Sequence, residues 1–170
     1  AARAEPAVEA RAAALREQVA EAERAIDRRF REFGEGQPMT LLGSTRGAYL
    51  EGYGAVFTLE VNLYPSAALS PFRQSYSDEE KAQLNVRKRQ RLETLEAKAR
   101  EILVEESAKL AGLTANEQVA LAVSLFHFGW EDLTGLPNQL VMAAARAELE
   151  RLRAGAAPAD ARRRLAPRYY

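Results

Sequence analysis

The segment AVFTLEVNLY, residues 55–64, alternates between two sets of side chains along its length. A strand points successive side chains to opposite faces, so the two sets lie on opposite sides. One face is therefore expected to be core and the other solvated, as is typical of an antiparallel sheet with one face in water. The core-side set is Ala55, Phe57, Leu59, Val61 and Leu63, and the other set is Val56, Thr58, Glu60 and Asn62.

A glycine-rich stretch, STRGAYLEGYG at residues 44–54, comes directly before this strand. A phosphate-binding loop needs a helix after its glycines, so that free N–H groups and the helix dipole face the anion. Here a strand follows, and no lysine stands where such a loop needs one. The stretch instead predicts a β-hairpin, in which Gly52 and Gly54 supply positive φ angles for the turn and a bulge. Before the turn, MTLLGS and GAYLE are expected to be two short strands.

Two long amphipathic helices are predicted, one at residues 6–34 and one beginning at the N-cap Ser77 and ending before Gly112. At about 1.5 Å per residue the first would be roughly 40 Å long, longer than a small domain is wide. Either its apolar stripe docks on its own domain, or its N-terminal half projects towards a second copy. The stripe contains Val8, Leu15, Val19, Ala22, Ile26, Phe30 and Phe33.

The C-terminal half predicts two more strands and short helices. NEQVALAVSLFHF, residues 116–128, is expected to be a central strand, and QLVMAAAR a strand that passes into a helix near Glu148. Pro158 opens a short final helix. We therefore predict an α+β fold, a mainly antiparallel sheet of about five strands with two long helices on one face. The helix of residues 1–37 is expected to belong to the same unit as a single domain of residues 38–170.

Three segments resemble an uncharacterised family of exported bacterial proteins. They are GAYLEGYGAVFTLEVNL, NEQVALAVSLF and NQLVMAAARAELERLRAG, which fall between residues 40 and 165. The shared pattern is a hairpin with GYG, a hydrophobic residue and Phe, a later strand, and a last strand running into a helix. The resemblance favours a strand at residues 139–146 and implies export, but it brings no activity.

Composition excludes several kinds of function. Lys plus Arg and Asp plus Glu number 24 each, so no global field favours nucleic acid or an anionic membrane. No apolar run is long enough to span a bilayer. The absence of cysteine excludes disulfides, thiolate metal sites and a cysteine nucleophile. The opening AARAEPAVEA is typical of a chain cut after a signal peptide, so we expect a periplasmic or secreted protein, with a cytoplasmic one as the alternative.

The single histidine, His127, is the first candidate for chemistry. Because imidazole titrates near neutral pH, it could act as a general acid or base with Glu131 or Asp132. Trp130 would then offer a ligand-binding surface. The alternative is a histidine packed over the sheet edge among neighbouring aromatic side chains. One histidine beside two acids has no recognised ligand spacing, so no metal or other cofactor is expected.

The hairpin supplies a second set of candidates, Tyr49, Tyr53 and Glu60, as ligand-binding residues. The polar strand face that carries Glu60 is more simply a solvated surface. Basic runs at residues 86–91 and 162–164 are flanked by acidic residues. We interpret both runs as solvated helix faces rather than a nucleic-acid site.

Two functions remain open, and the sequence contains no motif that decides between them. The first is a non-catalytic exported interaction or structural domain, which binds itself through the N-terminal helix, or another protein. The second is a small ligand-binding or hydrolytic enzyme with a pocket near residues 127–135. The lack of any catalytic motif favours the first.

Overall fold

The computed structural model describes residues 5–155 and 157–170. Helix α1 is followed by a hairpin, a second long helix, two strands and two short helices, and the chain closes on a two-residue strand. The bounds are α1 Glu5–Glu35, β1 Thr40–Leu50, β2 Gly54–Asn62, α2 Asp78–Glu106, β3 Gln118–Leu125, β4 Gln139–Ala145, α3 Arg146–Arg153, α4 Pro158–Arg164 and β5 Arg168–Tyr169.

The five strands form one sheet in the order β1-β2-β3-β4-β5. The β1–β2, β3–β4 and β4–β5 pairs are antiparallel, and only β2 and β3 run parallel. A parallel pair needs a long crossover, and α2 lies within the connection that supplies it. The predicted α+β fold with a mainly antiparallel sheet is therefore confirmed.

The alternation of β2 divides the sheet into an inner face, which builds the core, and an outer face. Inner-face side chains of β2, β3 and β4 are buried together with residues of α1, α2 and α3 in one hydrophobic cluster. In α1 this burial runs from Leu15 to Phe30, whereas Val8 is 66% exposed. The apolar stripe of α1 therefore docks on its own domain over most of its length, and its first turns extend past the core.

The hairpin is confirmed, and two details of it differ from expectation. Gly52 and Gly54 have φ angles of 78° and 137°, and a Cβ at Gly54 would lie 1.9 Å from the carbonyl oxygen of Gln118. MTLLGS and GAYLE, expected as two strands, form the single strand β1. Its register shift lies between Leu42 and Arg46, where Gly43 takes a φ of 69°, rather than at Gly54. The fifth strand is instead β5, which has no sequence periodicity.

The helix boundaries follow the sequence signals closely. Ser77 caps α2 by accepting a hydrogen bond from the Glu80 N–H at 3.1 Å. The helix ends at Glu106 and continues as a 3₁₀ turn, short of Gly112. The expected passage from strand to helix occurs at Ala145–Arg146, two residues before Glu148.

The edge of β1 is covered by side chains of α1. The Asp27 carboxylate accepts a hydrogen bond from the Thr45 N–H at 2.8 Å, and Glu23 accepts one from the Gly47 N–H at 2.7 Å. Unpaired edge groups can template the addition of another strand. These two carboxylates occupy two of the donors that such a strand would use, so the middle of this edge is blocked.

Candidate functional site

Three ionisable side chains meet where the loop after β3 packs on α2. The Lys88 Nζ lies 2.8 Å from a Glu131 carboxylate oxygen and 3.3 Å from the His127 Nδ1. We call Lys88, His127 and Glu131 the buried charged cluster. The structure thus brings together two residues that the sequence nominated, His127 and Glu131, and adds a third that it did not.

Hydrogen bonding within the buried charged cluster is close to complete. The Lys88 ammonium has three donors, which reach Glu131, the His127 Nδ1 and, at 3.1 Å, the Phe126 carbonyl oxygen. The His127 Nε2 lies 3.1 Å from the Pro137 carbonyl oxygen. A carbonyl can only accept, so this contact assigns the proton to Nε2 and leaves Nδ1 to accept from Lys88.

The environment of the cluster favours an ion pair. Burial opposes ionisation of Glu131, but its contacts with His127, Lys88 and the Phe128 N–H outweigh burial and hold the Glu131 pKa below its ordinary value. Burial lowers the pKa of Lys88, an effect that Glu131 partly counteracts. An ionised carboxylate therefore faces the lysine in the interior.

The cluster is closed to solvent. The side chains of Lys88 and Glu131 are each 1% exposed and that of His127 is 5% exposed. A general acid or base must come within hydrogen-bond reach of its substrate, and a side chain enclosed on all sides does not. Asn85 strengthens the same junction, since its Nδ2 donates to the Asp132 and Thr134 carbonyl oxygens at 2.8 and 2.9 Å. The arrangement fastens the 126–137 loop to α2.

Asp132 and Trp130, the other candidates in this loop, lie outside the cluster. The Asp132 carboxylate accepts a hydrogen bond from the Thr134 N–H at 3.0 Å, which lowers the Asp132 pKa. Trp130 stacks on Tyr76 with ring centroids 4.2 Å apart and on Phe128 at 5.6 Å. The Trp130 side chain is thus engaged in packing the loop.

The hairpin candidates are dispersed over the sheet. Tyr49 lies on the inner face, where its hydroxyl donates to Glu117 at 2.7 Å. Glu60 is exposed on the outer face, and Tyr53 lies in the turn beside the start of β3. The cluster follows the opposite end of β3. The structure therefore does not join the hairpin residues and His127 in one site.

Lys88 was missed because it belongs to the basic run at residues 86–91, which we interpreted as a solvated face. That interpretation is wrong for Lys88, which is fully buried. The signal was its spacing, since Lys88 lies four residues after Leu84 and four before Leu92, on the stripe that faces the core.

The outer face of the sheet is largely apolar and is exposed at several positions, whereas Ala120 near its centre is 5% exposed. Partners across strands share a face, so Ala48, Val56, Ala120 and Ala143 form one row across β1–β4. The next row places Ala122 beside Thr58, and both Thr58 and Ala143 are exposed. That second row is completed by Arg46 on β1 and Val141 on β4.

A cleft lies at the C-terminal side of this face. It has a volume of about 570 Å³ and is lined by Tyr53, Gln118, Val141, Ala143 and arginines of the C-terminal segment. Its size falls within the range of small-ligand and peptide sites. Tyr53, a residue that the sequence nominated, is thus part of a cleft, although of a different one from that expected near residues 127–135.

Residues 5–155 and 157–170 contain no group of three or more His, Cys, Asp or Glu side chains placed to hold a metal ion. No helix in the same ranges is long and apolar enough to cross a membrane. Comparison with protein-family models, curated proteins and solved structures finds no match to this chain. The resemblance to an exported bacterial family stays a prediction.

Proposed function

We propose that this domain is a non-catalytic interaction module, and that the outer face of its sheet packs against the same face of a second copy. The observation that carries the proposal is the apolar row of Ala48, Val56, Ala120 and Ala143. Ala48 and Ala143 in this row are exposed, Val56 is half-buried, and Ala120 is 5% exposed. Sheets normally bury an apolar face against another element. A solvated face would instead carry polar side chains at these positions.

The charges on the face are suited to pairing with itself. Arg46 lies on β1 opposite Thr58, and Glu60 lies one row further along β2. In a two-fold interface the same patch is used by both copies, so each contact occurs twice. Arg46 of one copy can then meet Glu60 of the other, and no like charges need to be brought together at the centre.

The outer face is small for a stable interface, so we expect the two copies to associate weakly. Four strands spaced by about 4.8 Å, with roughly eight residues each at ~3.4 Å, cover on the order of 500 Å². Stable interfaces bury about 800 Å² on each partner. We therefore expect a weak, reversible dimer that forms at high local concentration.

The alternative interaction surface, α1, has less exposed apolar area available to a partner. Its stripe from Leu15 onward is already buried in its own domain, so Val8 is the stripe residue left for a partner. The enzymatic alternative near residues 127–135 is weakened by the closure of Lys88, His127 and Glu131 and by their mutual hydrogen bonds. These observations support a binding role over a catalytic one.

Sedimentation equilibrium from micromolar to millimolar concentration tests the proposal. Thr58→Glu places two carboxylates face to face in the dimer, and Thr94→Glu makes the same change at an exposed position on α2. We expect the wild-type protein, Thr94→Glu and Val8→Arg to associate equally, and Thr58→Glu to remain monomeric. A wild-type protein that is monomeric at millimolar concentration, or a Thr58→Glu variant that associates normally, would contradict the proposal.

Export is a separate part of the proposal and is supported by the resemblance alone. We propose that the module works in the periplasm or outside the cell. Fractionation of cells that express the native gene tests this, since the protein is expected in the extracytoplasmic fraction. Recovery with the cytoplasmic proteins would contradict it.

A further inference from the structure

The sheet has a second edge, beside β5, and part of that edge is open. β5 pairs only with Leu140 and Val141 of β4. Gln139 and Tyr170 exchange both of their backbone hydrogen bonds, each at 3.0 Å. In an antiparallel ladder every second residue directs its N–H and C=O to the same neighbour. Val141 and Ala143 therefore face this edge as Gln139 does.

Ala143 lies beyond the point where β5 stops. β5 begins at Arg168, the residue that faces Val141, and Pro167 precedes it outside the strand. Within residues 5–155 and 157–170, no strand pairs with Ala143 on this side. This edge thus differs from the middle of the β1 edge, where α1 carboxylates occupy two of the free donors.

The open edge lies in the cleft of about 570 Å³ described above, whose walls include Tyr53 and Arg168. The two other arginines of the cleft, Arg163 and Arg164, already pair with acidic side chains, Asp160 and Glu148. The Arg168 guanidinium forms no ion pair within the described part of the chain. It is therefore the cation that remains for a ligand.

We infer that this cleft binds an extended, acidic peptide segment of a partner protein as an added strand on β4. Backbone groups of the peptide pair with the N–H and C=O of Ala143, as in other cases of strand addition. A carboxylate of the peptide meets Arg168, because guanidinium groups bind carboxylates through two parallel hydrogen bonds. An apolar residue packs on Tyr53 and Val141.

The inference goes beyond the pairing of two copies and does not depend on it. Strand addition uses the edge and cleft of a single chain, whereas pairing uses the centre of the outer face. Experiments at micromolar protein concentration examine the monomer, so failure of one proposal leaves the other open. Val141 and Ala143 contribute to both surfaces, and a bound peptide is therefore expected to weaken the dimer.

The probe is acetyl-Val-Glu-Val-Glu-Val-amide, titrated into isotope-labelled protein at micromolar concentration and followed by NMR. We expect saturable shifts at the amides of Val141 and Ala143 and at the Arg168 side chain. The same peptide with lysine in place of glutamate, and one N-methylated along its backbone, should bind at least tenfold more weakly. Free glutamate should produce no comparable shift.

Three variants make the test specific. Arg168→Gln should weaken binding about tenfold, because it removes a charge-assisted hydrogen bond. Ala143→Pro should abolish binding, since it removes a backbone N–H at an edge where proline is tolerated. Arg162→Gln, on the same helix as Arg163 but outside the cleft, should bind as the wild type does. Thermal unfolding verifies that each variant folds.

The inference is overturned by any of three results. The first is that the lysine peptide binds as well as the glutamate peptide. The second is that free glutamate shifts the same resonances, which would mean that the cleft is a simple anion site. The third is that both Arg168→Gln and Ala143→Pro retain full affinity. If Ala143→Pro does not fold, the N-methylated peptide gives the same information, because it removes donors from the other partner.

Discussion

The buried charged cluster and the outer face of the sheet reverse the usual distribution of side chains. Lys88 and Glu131 are charged and lie inside, whereas Ala48 and Ala143 are apolar and lie on the surface. Burial of a charge is costly unless it is paired, and the cluster is closed by its own hydrogen bonds. Among residues 5–155 and 157–170 the apolar face has no such internal partner. The charged site thus completes the fold, and we propose that the apolar face meets another molecule.

The largest effect is expected where the cluster is left incomplete. Glu131→Gln removes the counter-ion of Lys88 and should lower the free energy of unfolding by about 3–5 kcal/mol. Lys88→Met with Glu131→Gln removes both charges and should recover most of that loss. Urea unfolding of both variants measures the difference. An equal loss in the two would mean that the ion pair does not account for the role of Glu131.

The next largest effect on stability is expected from truncating side chains on β4, where the neighbouring residues Val141 and Met142 point to opposite faces of the sheet. Met142 is 1% exposed in the core, so Met142→Ala should cost about 2–5 kcal/mol of stability. Val141→Ala lies on the outer face and should cost about 1 kcal/mol or less. Thermal unfolding compares them in the monomer. Similar losses at both positions would show that the outer face is buried in the monomer as well.

A smaller effect concerns pH. Because the Glu131 pKa is lowered in the folded state, its contribution to stability is present above the unfolded pKa and is lost as pH falls through the folded one. Between about pH 5 and pH 3 the wild-type protein should therefore lose stability relative to Lys88→Met/Glu131→Gln. Asp27, Glu106 and Glu117 also have lowered pKa values and titrate in both proteins. Parallel loss in the two proteins would contradict the prediction.

The sequence predicted those elements whose signal is local. Strand β2 follows from strict alternation, and the start of α2 follows from the cap at Ser77. Two short strands were expected before the hairpin turn, whereas the chain forms the one strand β1, in which Gly43 lies at the register shift. Strand β5 has two residues, which is too few for any periodicity. Its existence depends on tertiary contact with β4.

The candidate site was predictable only in part, since sequence gives residue types but not their access to solvent. His127 was considered together with Glu131 or Asp132 because they are close in sequence, and His127 and Glu131 do lie together. Lys88 completes that pair from a helix some forty residues earlier, and its charge made a solvated position the simplest interpretation. The open edge at Ala143 cannot be predicted from alanine, because it arises from where β5 ends.

The central claim is that the outer face is a binding surface while the buried charged cluster is closed. Paramagnetic solvent relaxation by a soluble gadolinium chelate tests both parts in one sample, through the alanine methyl groups and the His127 ring. The methyl groups of Ala48, Ala122 and Ala143 should relax strongly at micromolar protein concentration and be protected at millimolar concentration, with His127 protected throughout. Unchanged methyl relaxation across that range, or strong relaxation of His127, would contradict the claim.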